Sequence, residues 1–459
     1  MNNDVVISNK SDRSFFGHPR GLAYIAFTEA WERFSYYGMQ ALLVLYMVNH
    51  LLLPGHIEHV AGLNGFVRFV ETIYSASLSN VALASAIFGL YTGLVYLTPI
   101  IGGYIADRWL GKTLTITIGA LLMAAGHFLM AFDVSFLIAL TCLISGVGCF
   151  KGNLANQISS LYKAGDIRHA DAYQIYFLFI NISVIVTPLV VGTLGEVYGW
   201  HYGFGVAGIG MLISLVIYLS GRKWLPIEQK PNRSKITNVA KPKLKKHQFI
   251  TMLILLLLLP LLAVSLIGNQ QIFNAYLLWV PNNIDLVFFG QQMPTTWLIT
   301  VDAVVSVSCL MLSMAFWRWW ARRFIEPSEI TKIIIGSALA TAGLLALVIA
   351  AMISSSGQKA GIGWILAFEL LNDLGFANIF PVGLALYSKM APKAIAGTLM
   401  GVYYLHIFVA NNLVGWLGGL IEIMSGTEFW LLHFGLTGAS TILMYLMARL
   451  FGKYIARAD

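Results

Sequence analysis

Charge is what this sequence has least of. Asp, Glu, Lys and Arg make up 11% of the 459 residues, while hydrophobic types make up 58% and mean hydropathy is +0.74. A soluble domain carries about 25% charged residues and under half apolar ones, so there is too little polar surface to coat a water-facing globule of this mass. Cysteine is scarce as well. Cys142, Cys149 and Cys309 lie in apolar runs at neither disulfide-framework nor metal-ligand spacing, which excludes a disulfide scaffold and a zinc module. The amino-terminal stretch through Gly21 has no apolar run after its basic residues, so no cleaved signal peptide is expected. The net charge of +8 is spread too thinly for a groove that tracks phosphates, and no nucleic-acid partner is expected. What remains is a polytopic membrane protein.

A membrane span needs about 20 mostly apolar residues. Candidates lie at 21–48, 77–105, 113–132, 135–162, 172–198 and 201–221, then at 249–280, 295–318, 330–354, 361–388, 395–424 and 428–451. The pattern predicts an all-α protein of twelve transmembrane helices in two six-helix bundles. Residues 1–221 form the first bundle, 222–247 a basic cytoplasmic linker, and 248–459 the second bundle. The seventh span is long and contains Pro260, which predicts a kink there or a split into two helices. The 49–76 loop is the longest external one.

Charge placement tests the count. Of 29 Lys and Arg, Arg33 and Lys151 stand deep within spans, and only Arg68 and Lys359 fall in odd-numbered loops. The other 25 lie in even-numbered loops, at the span ends beside them, or in the termini, with nine of them in 222–247. By the positive-inside rule the even loops and both termini face the cytoplasm, in the cell (inner) membrane.

Ionisable groups inside spans are the informative ones, because each is costly there unless paired or hydrated. The first span holds Glu29, Glu32, Arg33, Tyr36, Tyr37 and Gln40 at helical steps of three and four, on one broad face that cannot point at lipid. It lines a hydrated cavity or fixes helix packing through a buried ion pair. Lys151, in the fourth span, calls for a carboxylate from another helix or from a substrate. The second half supplies Asp302, Glu369 and Asp373 as ionisable partners, the last two one turn apart. Five carboxylates against two cations cannot all be ionised comfortably, which suits proton coupling and is also compatible with a sodium site. His127, His201 and His406 lie in or near spans, but no pair has metal-ligand spacing, so no metal site is expected.

The second-to-third loop carries Gly103, Asp107, Arg108, Gly111 and Lys112, in which the Asp–Arg pair could latch helix ends. This resembles the loop signature of the major facilitator superfamily. A closer resemblance covers nearly the whole chain. Glu29, Glu32, Arg33, Phe34, Tyr36, Tyr37 and Gly38 match a first-helix motif in full. Gly146, Gly148, Lys151, Gly152 and Asn153 match a fourth-helix motif, with glycine replacing its proline. Tyr176, Phe177, Ile180 and Asn181 match a loosened motif, and Gly199, Trp200, His201, Gly203, Phe204 and Gly205 another. Pro381–Leu384 and Gly401–Leu405 look like two later segments. On these residues the chain resembles the proton-dependent oligopeptide transporter family, as a divergent member.

The resemblance implies that Glu29, Glu32 and Arg33 couple protons, that Lys151 meets a substrate carboxylate or a seventh-helix acid, and that Tyr36, Tyr37 and Asn181 line the pocket. The departures lie mostly in the second half. Gln270 stands at a family acidic position, Asp302 replaces an asparagine, and Phe376 stands where the family has the glutamate that accepts a peptide's amino group. The chain also lacks the two extra helices that many bacterial members carry between their halves.

The reading that follows is a symporter, not an enzyme, moving a small peptide or peptide-like carboxylate by alternating access. It is expected to act as a monomer, with the proton as coupling ion, no other cofactor, and solute, protons and membrane lipid as its partners. One alternative is a transporter or exporter of a non-peptide solute in the same fold. Another is an intramembrane transferase acting on lipid-linked substrates, disfavoured because the acids are spread at depth across both halves rather than gathered at one interface.

Overall fold

The structure, a computed structural model, describes residues 12–74, 77–162, 166, 168–226, 246–288, 290–391 and 396–455. The order of elements is α1 (Arg20–Tyr46), α2 (Leu63–Tyr74), α3 (Asn80–Ile105), α4 (Lys112–Leu129), α5 (Phe136–Ser160), α6 (Arg168–Thr187), α7 (Trp200–Gly221), α8 (Lys246–Ser265), α9 (Ile267–Gln271), α10 (Ala275–Asn283), a two-residue ribbon of β1 (Val287–Phe288) and β2 (Gln291–Gln292), α11 (Trp297–Ala321), α12 (Glu329–Ser354), α13 (Gly363–Met390), α14 (Ala396–Gly418) and α15 (Gly426–Ile455). The basic linker expected at 222–247 lies, from 227 to 245, outside the described residues.

Among the described residues, eleven helical segments are long and apolar enough to cross a membrane. The remaining expected span is α1, 27 residues long, in which Arg20, Glu29, Glu32 and Arg33 supply the charge the others lack. The long helices turn branched and aliphatic side chains outward: Ile138, Val216, Leu312 and Ile442 are each at least 58% exposed. Only lipid is a suitable neighbour for such a surface, since a water-facing monomer rarely carries so much contiguous apolar area. The protein is an all-α polytopic membrane protein.

By packing, the chain falls into two compact units. One comprises Met1–Phe66 and Leu94–Thr237, the other Val67–Gly93 and Asn238–Asp459. In the first, α1 packs on α6 and α7, and α4 packs on α5 and α7. Gly102 of α3 backs onto α5 so closely that a Cβ there would collide with the carbonyl of Gly148. In the second, α13 packs on α12 and α11, and α15 packs on α12 and α8. Its core gathers Leu255, Leu258, Leu262, Ile333, Ile379, Tyr387, Tyr403 and Met444. The first half of α3 belongs to this unit: Ser79 donates a hydrogen bond to Glu422, and Gly89 lies against Asn411 and Gly415.

In the seventh span, Pro260 sits inside α8, which continues past it to Ser265. The chain splits at Leu266 and again between Gln271 and Ala275, giving three helical pieces. Polar side chains take over backbone groups at the second break: Gln271 Oε1 accepts from Ala275 N at 3.2 Å, and Asn274 Nδ2 donates to Val414 O at 3.2 Å. A break is tolerated where such partners replace lost helical bonds. Within the long first loop, α2 places Phe66, Phe69, Val70 and Ile73 at helical spacing, and Phe69 and Ile73 remain exposed. That periodicity is present in the sequence and marks an amphipathic helix.

Candidate functional site

The first unit centres on the polar face of α1. Helical pitch puts Glu29 four residues before Arg33 and Glu32 immediately before it, and all three are buried, with at most 3% of each residue exposed. Arg33 Nε lies 2.8 Å from Glu29 Oε1 and 2.7 Å from Glu32 Oε2. Its guanidinium carbon stands 5.3 Å from the ring centroid of Tyr36. Tyr176 of α6 adds a phenol beside Glu29. Two acids thus share one guanidinium in a setting where mutual repulsion is weakly screened.

Lys151 is held differently from what its position suggests. Its Nζ lies 4.4 Å from the centroid of Tyr96 and 5.9 Å from that of Tyr36. No described carboxylate pairs with it at salt-bridge distance. The two acids of α1, Glu29 and Glu32, are taken by Arg33, and the lysine, only partly buried, rests on aromatic faces that attract a cation without binding it in place. Tyr96 carried no signal in the sequence beyond being aromatic within a span. Tyr37 packs against Tyr36 with ring centroids 5.3 Å apart. Asn181, half-buried on α6, spends its amide N–H on Phe177 O at 2.8 Å. The structure therefore brings Glu29, Glu32, Arg33, Tyr36 and Lys151 together in one unit.

At the turn after α3, Gly111 takes a positive φ of 78° that lets α4 begin abruptly. The expected Asp107–Arg108 latch is not formed with any described residue. Arg108 lies over the Tyr104 ring at 5.0 Å, and both charged side chains are exposed. An ion pair in water contributes little, so the ring is a sufficient competitor. A Cβ at Gly103 would meet no heavy atom within 4 Å.

The second unit holds a separate polar centre. Asp302 of α11 and Glu369 and Asp373 of α13 are buried with carboxylate oxygens within 4.8 Å of one another. Tyr276 of α10 donates to Glu369 Oε1 at 2.7 Å. Asp302 Oδ1, Glu369 Oε2 and both oxygens of Asp373 find no donor among the described residues. Three carboxylates at this separation cannot all be ionised, and protons on the carboxyls themselves are the donors the group lacks. An all-oxygen set also suits a hard cation. Nothing local in the sequence marks Tyr276 for this role.

Gln270 bonds Asn269 Oδ1 at 3.0 Å, while Gln271, fully buried, meets His433 Nε2 at 3.0 Å. Phe376 stacks on Phe380, with centroids 5.4 Å apart and planes 8° from parallel. Its immediate setting on α13 is aromatic, and the nearby acids are engaged with one another.

Comparison with known proteins places these features. The model of the POT family matches residues 113–245. The chain is 27% identical over 480 residues to the peptide transporter YePEPT of Yersinia enterocolitica, covering 89% of each chain. It is 29% identical over 470 residues to a di-/tripeptide transporter of Lactococcus lactis subsp. cremoris, covering 86% of this chain and 88% of that one. In structure it matches a peptide transporter POT in complex with alafosfalin, with a TM-score of 0.83 at 24% identity, covering 99% and 98% of the two chains. It also matches a POT family transporter in complex with 5-aminolevulinic acid, with a TM-score of 0.78 at 21% identity, covering 99% and 100%. The fold is that of the major facilitator superfamily, and these relatives are transporters, not enzymes.

Proposed function

Because the chain belongs to the POT family, we propose that it is a proton-coupled symporter carrying a small peptide or peptide-like carboxylate across the cell membrane by alternating access. The observation that carries this reading is the single guanidinium of Arg33 shared by the buried Glu29 and Glu32, beside a lysine with no acid of its own. Protonating either glutamate leaves Arg33 with one partner in place of two and shifts the local field toward positive. An anionic solute group at Lys151 then meets less repulsion. Releasing the proton reverses the balance and favours release of the solute. Proton and anion are thereby coupled through charge alone, with no cofactor.

A peptide-like solute is supported by the names of the relatives, a peptide transporter and a di-/tripeptide transporter, and by the alafosfalin and 5-aminolevulinic acid held by the structural neighbours. The Asp302–Glu369–Asp373 group is a second store of protons. One observation favours a narrower solute class: Phe376, stacked on Phe380, offers no charge to a free amino group. Both termini are assigned to the cytoplasm of the inner membrane on the parity of Lys and Arg, and the working unit to a monomer. Reporter fusions that place residue 235 or the carboxyl terminus outside would overturn the topology.

The deciding experiment is solute uptake into proteoliposomes under an inward proton gradient, an inward sodium gradient, or neither. Accumulation driven by protons alone supports the proposal. Accumulation driven only by sodium, or no gradient dependence, refutes it.

A further inference from the structure

Outside the polar face of α1, the first unit contains a cluster that has no part in the coupling proposed above. At the far end of α1, beyond Tyr46, the helix continues in a wider π turn, Met47–Leu51, that carries His50. The following loop carries His56, and the turn before α5 carries Asp133. These residues are distant in sequence, yet one donor atom from each lies within 4.8 Å of the other two. His56 Nδ1 is 2.7 Å from Asp133 Oδ2, and His50 Nε2 is 3.6 Å from Asp133 Oδ1. The two imidazole centroids are 4.0 Å apart.

The arrangement is poorly explained as an ion pair. His56 and Asp133 satisfy each other, but His50 directs a nitrogen at the same carboxylate from beyond hydrogen-bond range. Its ring is crowded against His56, tilted by 44° rather than stacked. Tyr46, buried in α1, donates its hydroxyl to Asp133 Oδ1 at 3.0 Å. A carboxylate fixed from behind by a buried phenol is the support that ligating carboxylates commonly carry. His201, at the start of α7, brings a third imidazole, its centroid 6.3 Å from that of His50. The side chains of His50 and Asp133 are about one-fifth exposed and that of His56 about two-fifths, so an ion reaches them from solution.

Two imidazoles and a carboxylate form the donor set of a borderline divalent metal. Zinc takes nitrogen and oxygen ligands at about 2.0–2.2 Å in a tetrahedron, which sets donor atoms about 3.3 Å apart. The separations of 2.7 Å (His56–Asp133) and 3.6 Å (His50–Asp133) lie either side of that spacing, so the first pair opens and the second closes slightly around an ion. We propose that His50, His56 and Asp133 form a zinc-class divalent metal site that ties the end of α1, the loop after it and the start of α5 together. It lies at the end of α4 opposite Gly111, which on the proposed topology is the outer face. Its binding fixes three chain segments within one unit, so it stabilises that unit without entering the transport chemistry.

The test is a titration of tag-free, detergent-purified full-length protein with ZnCl2, read by isothermal calorimetry and by the shift in melting temperature. Saturable binding of one Zn2+ per chain with a rise in Tm is expected. Asp133→Asn should weaken it about tenfold or more, and His50→Ala with His56→Ala together should remove it. The exposed His59→Ala, in the same loop but outside the cluster, should bind as the unaltered protein does. Absence of saturable zinc binding in the unaltered protein overturns the proposal. So does a double variant that binds with unchanged affinity, or a loss in His59→Ala equal to that in the double variant.

Discussion

Arg33 Nε lies 2.7 Å from Glu32 Oε2, yet that oxygen accepts no hydrogen bond. The reason is geometric. Nε carries one hydrogen, and it points at Glu29, which takes the aligned bond at 2.8 Å. Glu29 is therefore held by charge and direction together, Glu32 by charge alone. Of the two, Glu32 loses less on leaving Arg33 and is the better placed to carry a proton between states.

That difference gives the first prediction. Glu32→Gln should abolish gradient-driven accumulation in proteoliposomes while leaving some exchange of solute down its own gradient, because the amide keeps the shape but cannot carry the proton. Undiminished accumulation in both Glu29→Gln and Glu32→Gln would remove the first helix from the coupling step.

Lys151, resting on Tyr96 and Tyr36 rather than on an acid, is available to an anionic group of the solute. A charge-assisted hydrogen bond contributes about 1.5–3 kcal/mol, roughly ten- to a hundredfold in affinity. Lys151→Ala should weaken a carboxylate-bearing substrate by that factor and its amidated analogue far less. Equal losses, measured as half-saturation in the same uptake assay, would make Lys151 structural.

A free ammonium brought to the Phe376–Phe380 stack meets only aromatic faces, which recover about 0.5–2 kcal/mol against several kcal/mol for leaving a buried charge unpaired. The nearby Glu369 and Asp373 are engaged with Asp302 and Tyr276. Alanyl-alanine should accordingly be transported weakly and its N-acylated form better, under one proton gradient. Robust saturable uptake of the free dipeptide, unaffected by Asp302→Asn or Asp373→Asn, would show the aromatic position to be irrelevant to choice.

Two adjacent glycines should respond differently to a methyl group. A Cβ at Gly102 collides with the Gly148 carbonyl, whereas at Gly103 it meets nothing within 4 Å. Overpacking costs about 1–3 kcal/mol, so Gly102→Ala should lower the melting temperature in detergent by several degrees and Gly103→Ala should leave it nearly unchanged. A larger fall in Gly103→Ala would contradict the packing of α3 on α5.

The sequence by itself determined the helical membrane class, the placing of the spans and the polar face of α1. Hydropathy and charge add up locally along the chain, and helical pitch alone puts Glu29 and Arg33 side by side. It also held the family motifs around Glu29–Gly38 and Lys151. What only the tertiary structure decided is which polar groups from different segments meet. Asp302 and Glu369 sit on separate helices, and their contact depends on how each helix is rotated about its axis, which hydropathy does not set. The same holds for Lys151 choosing Tyr96 over a carboxylate, and for His50 and His56 converging on Asp133 across the end of α1. The second break in the seventh span has a similar cause: the Gln271 and Asn274 side chains there meet Ala275 N and Val414 O, and the sequence does not say where a neighbour such as Val414 stands.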